Sequence, residues 1–125
     1  MDPKNPGGSE NPPPKPPVVF FRLPLAQIRI SPEISKKAVA PNLIDAMAES
    51  IKANGLDTPI KVRLRTAVER AQIDEEKSYE LISGRIRMEG AIKLGLERLD
   101  AFILTISQAE GFIEAERENW GRDFF

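Results

Sequence analysis

One run of residues constrains this chain more than any other: Tyr79-Glu-Leu-Ile-Ser-Gly-Arg-Ile-Arg-Met-Glu-Gly-Ala-Ile-Lys-Leu-Gly95. Ser78 to Ile82 reads as a short buried strand and Gly84 as a tight turn. A helix then runs to about Leu94, where Gly95 ends it, with Met88, Ala91 and Ile92 toward the core. A helix start presents backbone N–H groups without intrahelical partners and a partial positive charge. Arg85 and Arg87 add guanidinium groups at that point, making a place where phosphate oxygens could sit. The plainer alternatives are a turn glycine needing positive φ at Gly84, and a salt bridge from Arg87 to Glu89 or Glu80.

Little other chemistry is on offer. The 125 residues include no Cys and no His, which removes disulfides, thiol and His-based nucleophile systems and the usual zinc ligand sets. That length suits one domain with a real core. No apolar stretch approaches the roughly 20 residues of a membrane span. Met-Asp-Pro-Lys-Asn-Pro at the start lacks the apolar centre of a signal peptide. The expectation is a cytoplasmic protein with no membrane partner. A net charge of −1 gives no global basic field. Local basic groups remain: Lys61, Arg63 and Arg65 alternate along one segment, and Arg85, Arg87 and Lys93 follow the glycine turn.

Residues 1–17 read as a disordered Pro-rich leader, because seven prolines and two glycines leave almost no apolar surface to bury. The ordered domain is expected over 18–125. Val-Val-Phe-Phe and Leu25 to Ile30 read as one or two short strands separated by Pro24, and Ser31-Pro-Glu as a turn. A helix is expected from Asn42, as N-cap, to Asn54, with Leu43, Ile44, Met47, Ala48 and Ile51 on one face, Asp45 in its first turn and Gly55 terminating it. Ile60 to Leu64 alternates as a half-exposed strand, with Lys61 and Arg63 on a solvated face or, alternatively, on nucleic acid. Residues 66–77 read as a polar surface hairpin or loop. A strand over Leu99 to Ile106 and a last helix over 108 to about 120, with Phe112 and Ala115 on one side, complete a small mixed α+β domain. Trp120, Phe124 and Phe125 are too apolar for a free terminus. Core packing, a homodimer through the C-terminal segment or a following domain would each account for them.

Three segments in fixed order carry a family resemblance. Ser50-Ile-Lys-Ala-Asn-Gly-Leu-Asp-Thr-Pro-Ile-Lys-Val62 resembles the S-I-x-x-x-G-x-x-x-P-I-x-V segment of ParB N-terminal domains. Gly84 to Ala91 resembles their G-x-x-R-x-x-A-A box, and Glu118-Asn-Trp-Gly-Arg-Asp-Phe-Phe125 is similar to their E-N-x-x-R-x-x-L segment. The chain is thus identified with the ParB/sulfiredoxin superfamily over 18–125. That resemblance implies an α+β, mixed-sheet domain with helices packed on the sheet, binding a nucleotide, CTP with Mg2+ in partition proteins. Carried over by position, Gly84 is the phosphate-loop glycine and Arg87 the phosphate arginine. Glu118 and Asn119 are the pair near metal and phosphates, Arg122 is a second phosphate contact, and Thr58, Pro59 and Ile60 lie near base or sugar. Arg85 stands where partition proteins usually carry Glu, removing an acidic group where Mg2+ would be expected; Glu89, one helical turn on, is the compensating candidate. The sulfiredoxin branch needs a cysteine, so sulfinic-acid reduction is excluded. The helix-turn-helix that normally follows is absent from these 125 residues, which implies either a truncated form or a stand-alone member.

The leading expectation is a nucleotide-binding module, taking CTP or another triphosphate such as ATP, in plasmid or chromosome maintenance and associated with DNA. The alternatives are a Mg2+-dependent nucleoside triphosphatase or nuclease, with Glu118 and Glu89 as its acidic residues, and a ligand-free interaction or inhibitor protein.

Overall fold

Strand-forming and helix-forming segments alternate along the chain, and the sheet they build is mixed. The structure is a computed structural model that describes residues 18–56, 58–73 and 76–123, with side chains from Val19 to Arg117. The Pro-rich leader and Phe124 and Phe125 lie outside the described residues, as does the side chain of Trp120.

The strands are β1 (Val18–Pro24), β2 (Ile28–Arg29), β3 (Ile60–Leu64), β4 (Tyr79–Ser83) and β5 (Arg98–Leu104). They form one sheet in the order β1-β5-β3-β4-β2. The β1–β5 and β3–β4 pairs are antiparallel; β3–β5 and β2–β4 are parallel. The helices are α1 (Pro32–Ser35), α2 (Pro41–Asn54), α3 (Ala67–Gln72), α4 (Arg85–Leu94) and α5 (Gln108–Asp123). The mixed-sheet α+β architecture with helices packed on the sheet is therefore as expected.

One sheet face carries Ile60, Val62, Leu81, Leu99 and Ala101, which close a core with Met88 and Ala91 of α4. Ile60 and Val62 are wholly buried, each contributing about 1.5–3 kcal/mol relative to an exposed position. Helix α2 packs on α4 and buries Ala48 and Ile51. Helix α5 crosses the opposite face over β4.

Several boundaries differ from expectation. Helix α2 starts one residue early, at Pro41, with Ala40 in the cap position and no side-chain cap. Proline's fixed φ and missing N–H suit the first helical position, so Asn42 falls inside the helix and Asp45 beyond its first turn. Leu43 and Ile92 lie on helix surfaces the sheet does not reach and are half exposed. Pro32–Ser35 is a short helix rather than a turn. Leu25–Gln27 is a 3-10 turn, which leaves β2 only two residues. The 66–77 segment contains α3, started by a capping box in which the Thr66 hydroxyl accepts from the Glu69 N–H and the Glu69 carboxylate accepts from the Thr66 N–H.

Candidate functional site

The Gly84 turn sits between the end of β4 and the start of α4, and two independent requirements fix its residue. Gly84 has φ 99°, in the left-handed region, and a Cβ there would lie 2.8 Å from Ile60 Cγ2. Any side chain would meet both backbone strain and a clash with a buried core residue. The turn aims the first turn of α4 into a cleft of about 410 Å3, within the range of small-molecule sites. Gly84, Arg85 and Ile86 form one wall; Lys37 and Val39, from the segment joining α1 to α2, form another; Phe112 and its neighbours on α5 close the third side.

Arg85 is held rather than free. Its Nη1 donates to the carbonyl oxygens of Ile34 at 2.7 Å and Lys37 at 2.5 Å, and its Nε pairs with Glu89 at 3.3 Å. It thereby ties the end of α1 to the first turn of α4 and fixes the Lys37 wall. Glu89, the expected compensating acid, is engaged with this arginine. Arg87 Nη1 lies 3.4 Å from the carbonyl oxygen of Pro59 and 3.1 Å from the position a Gly84 Cβ would take. Arg87 thus braces the glycine turn against the segment that enters β3. The structure brings Pro59, Ile60, Gly84, Arg85, Arg87 and Glu89 to one corner. Gly84 and Arg85 line the cleft, whereas Arg87, Thr58 and Pro59 are not among the residues that do. Glu118, Asn119 and Arg122 fall in the last turns of α5, and their side chains lie outside the described residues.

The cleft's floor rests on an ion-pair row that contradicts the expected solvated strand face. Sheet register sets Arg29 of β2 opposite Glu80 of β4, and Glu80 opposite Arg63 of β3. Glu80 Oε2 accepts from Arg29 Nη1 and its Oε1 from Arg63 Nε, each at 2.9 Å. Arg63 is only 1% exposed. It also donates to Glu69 at 2.5 Å and to the carbonyl oxygen of Ile106, just before α5. Burial alone would lower the Arg63 pKa, but its bonds to Glu69 and Glu80 outweigh that and raise it. Burial likewise pushes Glu69 up, and the bonds from Arg63 and Thr66 outweigh it, leaving its carboxyl below the usual range. Arg65 is buried too, donating to the carbonyl oxygens of Lys77, Glu69 and Ile73. Lys61 pairs with Glu114 of α5 at 2.9 Å. Arg63 and Arg65 are thus buried ties within the fold, and Lys61 ties β3 to α5.

Helix α5 can approach this row because of Gly111. A Cβ there would be 3.2 Å from Arg63 Cδ, so the absent side chain lets the helix lie on the arginine stem. Sequence reasoning missed this contact and the Lys37 wall. A glycine inside a helix costs about 1 kcal/mol relative to alanine, and that cost was the available signal for Gly111. Phe112 and Ala115, expected on one side of the helix, both line the cleft, and Phe112 is 42% exposed.

Among the described residues no helix is long and apolar enough to cross a membrane. The chain is 31% identical over 102 residues to the chromosome-partitioning protein Spo0J of Thermus thermophilus, covering 82% of this chain and 34% of that one. It is 36% identical over 80 residues to a nucleoid occlusion protein of Bacillus cytotoxicus, covering 64% of this chain and 24% of the relative. The chain therefore spans about a third or less of these relatives' lengths. The fold is similar to that of the C-terminally truncated chromosome-partitioning protein ParB from Caulobacter crescentus complexed with CTP-gamma-S, with TM-score 0.68 and 18% identity over 81% of this chain and 52% of that one. It is also similar to sulfiredoxin from Arabidopsis thaliana, with TM-score 0.61 and 25% identity over 77% of this chain and 96% of that one. A family model described as the ParB N-terminal domain matches residues 17–120. The chain belongs to the ParB N-terminal domain family.

Proposed function

We propose that this chain is a nucleotide-binding module of the ParB kind, with CTP as its first candidate ligand, acting in chromosome or plasmid maintenance. The observation that carries this reading is the cleft of about 410 Å3 walled by Gly84, Arg85 and the inner side of α5. The first N–H groups of a helix lack intrahelical acceptors and point toward negative charge, and α4 opens at Arg85 directly on that cleft. A triphosphate is an anion of suitable size for such a corner. Family membership supports the reading, as does the CTP-gamma-S bound to the Caulobacter relative.

The binding would work by position. The phosphates meet the α4 first turn, Arg87 keeps the Gly84 turn in register against Pro59, and the last turns of α5 bring Arg122 and Asn119 over the ligand. Contact between that helix and the ligand then changes the surface presented to DNA or to a second copy of the chain. Glu118 is the remaining acidic candidate for a metal or for hydrolysis on this site.

Arg87→Ala tests the corner directly. With the brace on the Gly84 turn gone, the variant is expected to lose about 10-fold or more in CTP affinity while remaining folded. Unchanged affinity in a folded variant would overturn the placement of the phosphates.

A further inference from the structure

An arginine in the first turn of a helix opposes the helix dipole, so Arg85 needs partners of opposite sign. It has two kinds. Its Nε pairs with Glu89 one turn on, and its Nη1 donates to the carbonyl oxygens of Ile34 and Lys37. The last carbonyls of a helix lack intrahelical donors and carry partial negative charge. Ile34 lies in α1, a helix of four residues that buries none of them. A helix that short does not hold its own position. Ile34 packs on the edge of the core, and residues 37–40 beyond it belong to no helix or strand. Arg85 therefore anchors this segment to α4 from 48 residues away in sequence.

What the anchor sets is the place of Lys37. That residue is exposed and lines the same cleft as the α4 first turn, from another wall. The N–H groups at the start of α4 suit one phosphate. Each further phosphate adds negative charge away from the helix start, in a cleft that Glu33 and Glu116 also line. Among the described residues on the cleft the cations are Lys37 and Arg85. Arg85 already shares its charge with Glu89. Lys37 carries its ammonium on a flexible four-carbon stem, a point charge able to follow a phosphate chain.

We propose that Lys37 reads the number of phosphates on the bound nucleotide and that Arg85 is the positioning residue that holds it in place. The inference rests on the nucleotide-binding reading above. Its test is calorimetric titration of the full chain, of Lys37→Ala, of Arg85→Ala and of the double variant with CTP, CDP and CMP in one Mg2+ buffer. The unmodified chain is expected to bind CTP about tenfold or more tighter than CMP. Lys37→Ala is expected to weaken CTP by about tenfold and CMP by less than about twofold. Arg85→Ala is expected to show the same split. The double variant is expected to lose no more than about twofold beyond either single one, since both changes remove one contact. Equal losses for CTP and CMP in Lys37→Ala, no loss at all, or losses that multiply in the double variant would each overturn the inference. CTP binding by the unmodified chain would still leave the nucleotide reading standing. Binding of none of the three by the folded, unmodified chain would overturn both. Lys37 is exposed, so Lys37→Ala keeps the fold, and the comparison of nucleotides stands on that variant even where Arg85→Ala does not fold.

Discussion

Glu80 is the residue on which most of the cleft's floor depends. It is 6% exposed and holds two arginines from neighbouring strands, one of them 1% exposed. Removing one member of a buried ion pair strands the charge that is left, which costs about 3–5 kcal/mol. Glu80→Gln is therefore expected to lower unfolding stability by about that amount in urea denaturation, whereas a loss under about 1 kcal/mol would show the row to be solvated. Neither the burial nor the partner was legible in the sequence. Strict alternation in Ile60 to Leu64 correctly placed Arg63 on the face opposite Val62, but alternation does not say what covers that face. What covers it is α5, admitted by a glycine 48 residues farther on. The Gly84 corner was legible because its signals are local: a strand end, a glycine and a helix start within a few residues.

Short elements behaved differently from long ones. Helices α2 and α4 carry sustained apolar periodicity with glycines beyond their ends, and both were placed to within a residue. Helix α3 has six residues and no buried side chain, so no apolar stripe announced it. Its Thr66-x-x-Glu69 cap was the sequence signal that went unread. What keeps α3 folded is tertiary: Arg65 bonds to the Glu69 and Ile73 carbonyls and Arg63 pairs with the Glu69 side chain. This attachment makes a pH prediction. The folded-state pKa of Glu69 is lowered, so its stabilising contribution is fully present above the unfolded value of about 4.3 and is lost as pH falls through the lower folded value. Stability of the native chain is expected to fall on acidification from about pH 5 to pH 3, and Glu69→Gln to show a shallower fall over that window. Equal slopes by chemical denaturation would detach Glu69 from the effect.

At the scale of the whole molecule, the arrangement is a rigid sheet and α2–α4 layer facing a second layer made of α5 and the segment between α1 and α2. The cleft lies where these meet, and its walls are fixed by side chains from distant parts of the sequence: Arg85 holding the Ile34 and Lys37 carbonyls, Lys61 holding Glu114, and Arg63 holding the Ile106 carbonyl. The family resemblance marked the Gly84 corner from sequence. The opposing wall was invisible there, because no motif encodes which loop an arginine will hold. The central claim is that this cleft takes a nucleoside triphosphate. Calorimetric titration of the chain with CTP, ATP and GTP tests it most directly. Saturable one-to-one binding of CTP, tighter than ATP or GTP, is the predicted result, and a folded protein giving no binding heat with any of the three would contradict it.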